Sequence, residues 1–209
     1  MTAIIDYGVG NLFSLKCSFA AIGEEVLVSS DEYDVKNADR IVLPGVGAFE
    51  DAAKKLENSG LCEVIKEQVS LGKPLLGICL GMQLLFDKSY EYGEHKGLGL
   101  IPGVIRPISD VIPKDLKIPH MGWNSLTFGK EKHPLFKYIN ENDYVYFVHS
   151  YYASDCKESV IAETNYGAPL TAAAASGSVL GCQFHPEKSG DVGLAILKAF
   201  CEMKEGKIC

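Results

Sequence analysis

The sequence has no block of basic residues. Its 20 Lys and Arg stand against 27 Asp and Glu, a net charge of −7. That balance offers nucleic acid no electrostatic footprint. No apolar run is long enough to span a bilayer; the longest, within Lys73 to Phe86, is interrupted by Gly77 and Gly81. Met1 to Gly8 lacks a charged stretch followed by a long apolar one, which predicts no secretory signal. The seven cysteines are Cys17, Cys62, Cys79, Cys156, Cys182, Cys201 and Cys209. Their number is odd and no two form Cys-x-x-Cys, which predicts neither a disulfide framework nor a zinc site, and a cytoplasmic home. There is no Walker motif. Gly8-x-Gly10 follows a strand-like run, but Phe13 stands where a dinucleotide fingerprint needs its third glycine. No internal repeat, low-complexity segment or linker divides the chain, so one domain over residues 1–209 is the economical reading.

What is present is an ordinary globular composition, 47% hydrophobic and 22% charged. Ala3 to Tyr7, Val26 to Val28 and Arg40 to Leu43 read as buried strands. A helical apolar pattern runs from Leu12 to Ile22, with Gly23 where a helix-terminating glycine belongs. Two more helices are expected from about Phe49 to Leu56 and from Leu61 to Val69, with Gly72 ending the second. This alternation argues for an α/β fold around a mostly parallel central sheet flanked by helices. After about Tyr90 glycines and prolines break the chain into shorter pieces and the second half turns β-rich. Tyr144 to Tyr152 reads as one strong strand, Val160 to Ala162, Leu170 to Ala175 and Val179 to Phe184 as others, and a closing helix starts at Gly190.

The chemistry centres on Leu75 to Phe86, read as a buried strand, a sharp turn and a helix. Gly77-Ile78-Cys79-Leu80-Gly81 has the form of a nucleophile elbow with Cys in place of Ser. Cys79 would then sit at a helix N-terminus, where the dipole favours the reactive thiolate. The competing reading of a lone cysteine is an inert, buried one; the glycines at −2 and +2 turn the balance. A nucleophile needs a base. His185-Pro186-Glu187 follows the last strand, and in an extended segment His185 and Glu187 share a face. A carboxylate beside an imidazole fixes its tautomer and stabilises its cation. An oxyanion would need donors: the Leu80 N–H, and a backbone N–H within Gly45-Val46-Gly47, at another strand's carboxyl end.

With these pieces together the chain resembles the class I, triad-type glutamine amidotransferase family, from about residue 3 to 203. Gly77 to Gln83 carries the nucleophile motif, Gln183 to Glu187 the base and its orienter, and Pro44 to Gly47 the oxyanion strand. Ile5 to Leu12, Pro119-His120-Met121-Gly122-Trp123-Asn124, Tyr146 to Tyr151 and Pro186 to Ser189 are similar to the glutaminase subunits of imidazole glycerol phosphate synthase. The resemblance implies that Cys79 attacks the side-chain amide of glutamine. His185, with Glu187, would protonate the leaving ammonia, and water would clear a glutamyl thioester. Gln83 and Glu91, with the main chain near Ser150 and Tyr151, would hold the glutamine. No cofactor or metal is implied.

The chain shows no basic phosphate-binding cluster of its own, so the acceptor of the ammonia must be held by another chain. The resemblance makes that partner a (βα)8-barrel cyclase subunit in a heterodimer. Trp123, the lone tryptophan, lies in what reads as a loop and is the expected anchor, the alternative being local core. Asn11, Met121, Tyr146 and Lys188 would join it by resemblance. An isolated subunit is expected to be nearly idle, with a misdirected peptide in Gly45 to Gly47 as the physical cause. The rival within glutaminases is a paralogue supplying ammonia for surface-sugar amidination. The rivals outside are a binding module with a silent triad and a Cys peptidase or chaperone bearing the same elbow.

Overall fold

Short aliphatic runs alternate with helical stripes along the first half of the chain. The computed structural model, which describes residues 1–129 and 131–203, turns them into a layered α/β fold. Cys209 lies outside the described residues. The first half contains β1 (Thr2–Ile5), α1 (Leu12–Ala21), β2 (Val26–Ser29), α2 (Glu32–Asn37), β3 (Arg40–Leu43), α3 (Phe49–Asn58), α4 (Leu61–Ser70), β4 (Leu75–Ile78) and α5 (Leu80–Leu84). Then come β5 (Phe86–Ser89), β6 (His95–Lys96), β7 (Ile101–Pro107), β8 (His120–Ser125), β9 (Thr127–Phe128), β10 (Tyr144–His149) and β11 (Tyr151–Ser154). The chain ends in β12 (Val160–Asn165), β13 (Pro169–Ser176), β14 (Val179–Cys182) and α6 (Gly190–Cys201).

The central sheet runs β2-β1-β3-β4-β14-β13-β12-β9. Its first five strands are parallel, and β13, β12 and β9 join antiparallel. The parallel strands are mostly apolar because both faces of the inner ones are covered. Ile4, Val42, Leu76 and Leu180 share one core with Leu15, Phe19, Ile196 and Phe200 of α1 and α6. Ile5, Ile41, Leu43 and Leu75 share the other with Phe49, Leu56, Leu61 and Ile65 of α3 and α4. Two smaller sheets, β10-β8 and β11-β7-β5-β6, complete the molecule. No helix among the described residues is long and apolar enough to cross a membrane.

Three local expectations give way, and one element, α2, was not expected at all. The helix after Cys79 is only five residues long, and Phe86 begins a strand rather than ending a helix. The Leu84, Leu85 and Phe86 carbonyls accept from Leu98, Leu100 and Gly99 instead of from a next helical turn. α2 has no strong apolar stripe, only Val35 being buried, so periodicity does not reveal it. It is held by its ends: Asp31 caps the Tyr33 N–H at 2.7 Å, and the Lys73 ammonium donates to the Val35 and Lys36 carbonyls. The expected strand Tyr144 to Tyr152 is two strands in different sheets, parted at Ser150, whose carbonyl accepts from the Ile108 N–H at 2.9 Å. Trp123 lies on β8, not in a loop. That strand buries a histidine and exposes Met121 and Trp123, the reverse of the apolar-in pattern that marks a strand in sequence.

Candidate active site

Three adjacent parallel strands, β3, β4 and β14, end side by side and release three loops at one edge. This is the place where open α/β sheets collect their sites. β4 and β14 run in register, Gly77 beside Gly181 and Ile78 beside Cys182, and the Cys79 N–H donates to the Cys182 carbonyl at 2.8 Å. The pairing fixes where Cys79 leaves the sheet. Its backbone then turns back sharply, at φ 55° and ψ −111°. Such a conformation in a non-glycine residue costs about 1–3 kcal/mol and persists only where its surroundings impose it. The surroundings here are a backbone crossing. A Cβ on Gly81 would lie 1.9 Å from the Leu43 carbonyl oxygen, and one on Gly77 would lie 2.7 Å from the Gly81 oxygen. Only glycines let α5 start so close to the ends of β3 and β4.

His185 follows β14, and on one side its imidazole lies near Cys79, whose charge acts on the ring. On the other, Nδ1 meets the Glu187 Oε1 at 2.7 Å, with both side chains almost wholly buried. Burial alone would lower the imidazole pKa. The interactions with Cys79 and Glu187, and the attraction of their charges, outweigh it and push the value up to about 9. The pairing is as expected but its backbone is not: Pro186–Lys188 is a 3-10 turn rather than an extended segment. The Lys188 N–H and the Ser189 hydroxyl both bond the His185 carbonyl and curl the chain. Proline at the first position suits this turn, because its fixed φ fits and its missing N–H is not needed.

The third loop, Pro44 to Gly47, is tied down at its start. The buried Tyr7 hydroxyl donates to the Pro44 carbonyl at 2.7 Å. Burial and the nearby Cys79 charge both raise the pKa of Tyr7, which keeps it a donor. Gly45 sits tight against α5, where a Cβ would come within 2.7 Å of the Gly81 nitrogen. Gly47 has φ +97° with open space around it. Val46 and Gly47 line a cleft of about 330 Å³ together with Cys79, Leu80, Gln83, Glu91, Ser150, Tyr151 and His185. The cleft's remaining walls are Pro119, Val148 and His149. Gly45 lies behind it. Leu80 opens α5, so its N–H is one of those for which the helix offers no acceptor.

Gln83 is buried, one turn beyond Cys79. Its Nε2 donates to the Gln183 Oε1 at 2.9 Å and to the Tyr151 carbonyl at 3.3 Å. Glu91, in the turn after β5, accepts from the Phe49 N–H and so joins the start of α3 to the cleft. Of the five expected docking residues, Met121 and Trp123 lie on β8, Tyr146 on β10, Lys188 in the turn after His185, and Asn11 before α1. Met121 and Trp123 are 60% and 56% exposed on β8. Trp123 meets the Tyr146 ring edge-on, and the Lys188 ammonium lies over that ring at 5.9 Å. Asn11 is the N-cap of α1, its Oδ1 accepting from the Ser14 N–H at 3.3 Å, and α1 packs against the turn that carries Lys188.

Sequence reasoning passed over Gln183. It is fully buried, and its Nε2 points at the Cys79 sulfur from 3.7 Å. The signal was a lone amide ending an apolar strand run, which needs an internal partner. It also gave no role to His120 and His149, which are buried side by side, His149 in the cleft wall and His120 behind it. A thiol on a strained turn, an imidazole beside it and a carboxylate bonded to that imidazole together can carry out nucleophilic attack on a carbonyl and protonate the leaving group.

The description of known families that fits the chain is class-I glutamine amidotransferase, matched over residues 3–203. Among curated proteins, the imidazole glycerol phosphate synthase subunit HisH of Carboxydothermus hydrogenoformans is 51% identical over 204 residues, covering 97% of this chain and 100% of that protein. The subunit of the same name from Lactococcus lactis is 48% identical over 200 residues, covering 95% and 96%. Among solved structures, one described as a glutamine amidotransferase superposes with a TM-score of 0.73 at 18% identity, covering 95% of this chain and 98% of that one. PurLQS from Thermotoga maritima gives 0.71 at 17% identity, covering 96% of each. At those identities the superpositions speak to the fold alone.

Proposed function

The chain belongs to the class-I glutamine amidotransferase family, and from that premise we infer that it is the glutaminase subunit of an imidazole glycerol phosphate synthase, serving histidine biosynthesis. The observation that carries the chemistry is the Cys79–His185–Glu187 line at the edge of the cleft. In this reading glutamine enters the cleft with its side-chain amide toward Cys79. The thiolate adds to the amide carbon, and the tetrahedral oxyanion is met by the Leu80 N–H and a peptide N–H of Gly45 to Gly47. His185 passes its proton to the departing ammonia. The C–N bond breaks and a glutamyl thioester remains. Water, giving its proton to His185, adds to the thioester and releases glutamate and the free thiol. Glu187 keeps the imidazole oriented and its cation stabilised throughout. The charged His185 suits the first half-reaction, which needs a proton donor at neutral pH. Gln83, Glu91 and the Ser150–Tyr151 segment hold the glutamine.

A subunit name implies a partner, and we propose a (βα)8-barrel cyclase that takes the ammonia and makes imidazole glycerol phosphate and an aminoimidazole carboxamide ribonucleotide. What supports an interface on β8 and β10 is their outer face. Met121, Trp123, Tyr144, Tyr146 and Val148 stand there in cross-strand pairs and neighbours, and an aromatic patch of that kind is where interface energy concentrates. The chemistry runs on the chain's own groups, in the cytoplasm.

The test is glutamate release from glutamine in three arms: the chain alone, with a barrel cyclase, and with cyclase plus its ribonucleotide substrate. We expect a large rise in the third arm, abolished by Cys79→Ala with a loss of at least about a thousandfold. High activity in the first arm would refute dependence on the partner. Silence throughout, with Cys79 still labelled by a glutamine-mimicking chloroketone, would move the reading to the paralogue that serves surface sugars.

A further inference from the structure

From the cleft wall inward runs a line of polar groups that the triad does not use, with His149 in the wall and His120 behind it. His120 on β8 and His149 on β10 are register partners. His120 Nδ1 meets His149 Nε2 at 3.0 Å, and His149 Nδ1 meets the Tyr151 carbonyl at 2.8 Å. At the other end, Asn124 Nδ2 approaches His120 Nε2 at 3.2 Å and donates to the Asn165 carbonyl at 2.8 Å. The direction of every bond can be assigned. The Tyr151 carbonyl only accepts, so His149 carries its proton on Nδ1 and accepts on Nε2. His120 must then donate from Nδ1 and accept on Nε2. Asn124 supplies that donor, and its orientation is fixed because its Oδ1 accepts the Ser125 N–H at 2.8 Å. Both rings are neutral in this arrangement, since a second proton on either would set donor against donor. His120 is held further by stacking between Phe147 and Tyr166, with ring centroids 4.8 and 4.2 Å away.

The line ends on a group of the site. The Tyr151 carbonyl also accepts from Gln83 Nε2, which bonds Gln183, whose own Nε2 faces the Cys79 sulfur. The peptide after His149 is where β10 leaves one sheet and β11 enters another. At that break the Ser150 carbonyl is held by the Ile108 N–H, and the next carbonyl, that of Tyr151, by His149. We propose that His120 and His149 are positioning residues of the glutamine cleft: a one-directional imidazole pair that fixes the Tyr151 carbonyl and, through it, the Gln83 side chain. The proposal rests on the glutaminase reading.

The experiment uses the full-length chain and two alkylating probes. A glutamine-mimicking chloroketone labels Cys79 through the cleft, with a separable inhibition constant and maximal rate. Iodoacetamide reports the thiol without needing the cleft. His149→Leu removes the donor to Tyr151; His149→Asn, equal in size, keeps an amide N–H near the place of Nδ1. We expect His149→Leu to raise the chloroketone inhibition constant about tenfold, the worth of one buried hydrogen bond. Its iodoacetamide rate should stay within about twofold, and His149→Asn should recover most of the loss. Equal constants for the two variants, or an unchanged constant in His149→Leu, would overturn the role. A wild-type chain without saturable chloroketone labelling would instead sink the glutaminase reading, and this role with it. Nitrogen-15 spectra of the wild-type imidazoles supply a test that needs no variant: both rings should be neutral with the proton on Nδ1, and an Nε2–H form of either overturns the assignment.

Discussion

His185 keeps its proton at a pH where free imidazole has lost it, and activity should follow that proton. Its role as donor to the leaving ammonia predicts that kcat/KM for glutamine is level near neutrality and falls as pH rises through about 9. A pH–rate profile already falling near pH 7 would contradict the assignment. The linkage has the same sign: a folded pKa above the ordinary 6.5 contributes stability that is complete below 6.5 and lost as pH climbs through about 9. His120 and His149 behave oppositely. Burial lowers both to about 4, and for His149 the neighbouring His120 and His185 add to the effect against the bond to Tyr151. The unfolded chain takes up protons first, so their stabilisation is full above 6.5 and lost as pH falls toward 4, by about 3 kcal/mol per ring. Urea unfolding between pH 7 and 4.5 should show this loss, and His120→Phe should flatten it. Cys79, His185 and Glu187 were legible because each stands in a motif with its own local signature. Gln183 and the histidine pair were not, because their meaning lies in contacts made across 100 and 29 residues of chain.

Elements were legible where one segment decides its own structure. The parallel strands announced themselves by unbroken aliphatic runs, and α1, α3, α4 and α6 by their periodicity. The errors fall where a distant segment decides. α5 stops because the 98–101 stretch takes its last carbonyls, α2 forms because Lys73 caps it, and β10 separates from β11 because Ile108 claims Ser150. The glycines of the elbow make a sharp prediction at this scale. Gly81→Ala puts a methyl group into a backbone carbonyl and should cost about 3 kcal/mol or more. Gly47→Ala meets no atom and should cost only the strain of its left-handed backbone, about 1–2 kcal/mol. Thermal denaturation of the two variants separates a packing glycine from a conformational one. Equal, small losses would refute the crossing of α5 over β3 as the reason for Gly81.

For the whole molecule, the arrangement puts the glutamine cleft and the proposed docking face on opposite sides of one thin wall. Trp123→Ala should weaken cyclase binding by about 2 kcal/mol, roughly thirtyfold, while Cys79 labelling is unchanged. Isothermal calorimetry with the cyclase checks the first part, and unchanged affinity would remove Trp123 from the interface. The wall is the β8–β10 ribbon. One set of alternate residues, Met121, Trp123, Tyr146 and Val148, faces outward; the other, His120, Asn124, Phe147 and His149, faces in. Two messages are therefore written on alternate letters of the same short text. Substitution can edit either message alone, so partner preference is free to drift while the glutamine cleft stays as it is. Inserting or deleting one letter near Gly122 exchanges the two messages over the rest of the strand and spoils both. Variation in this ribbon should come as spelling changes and not as changes in length.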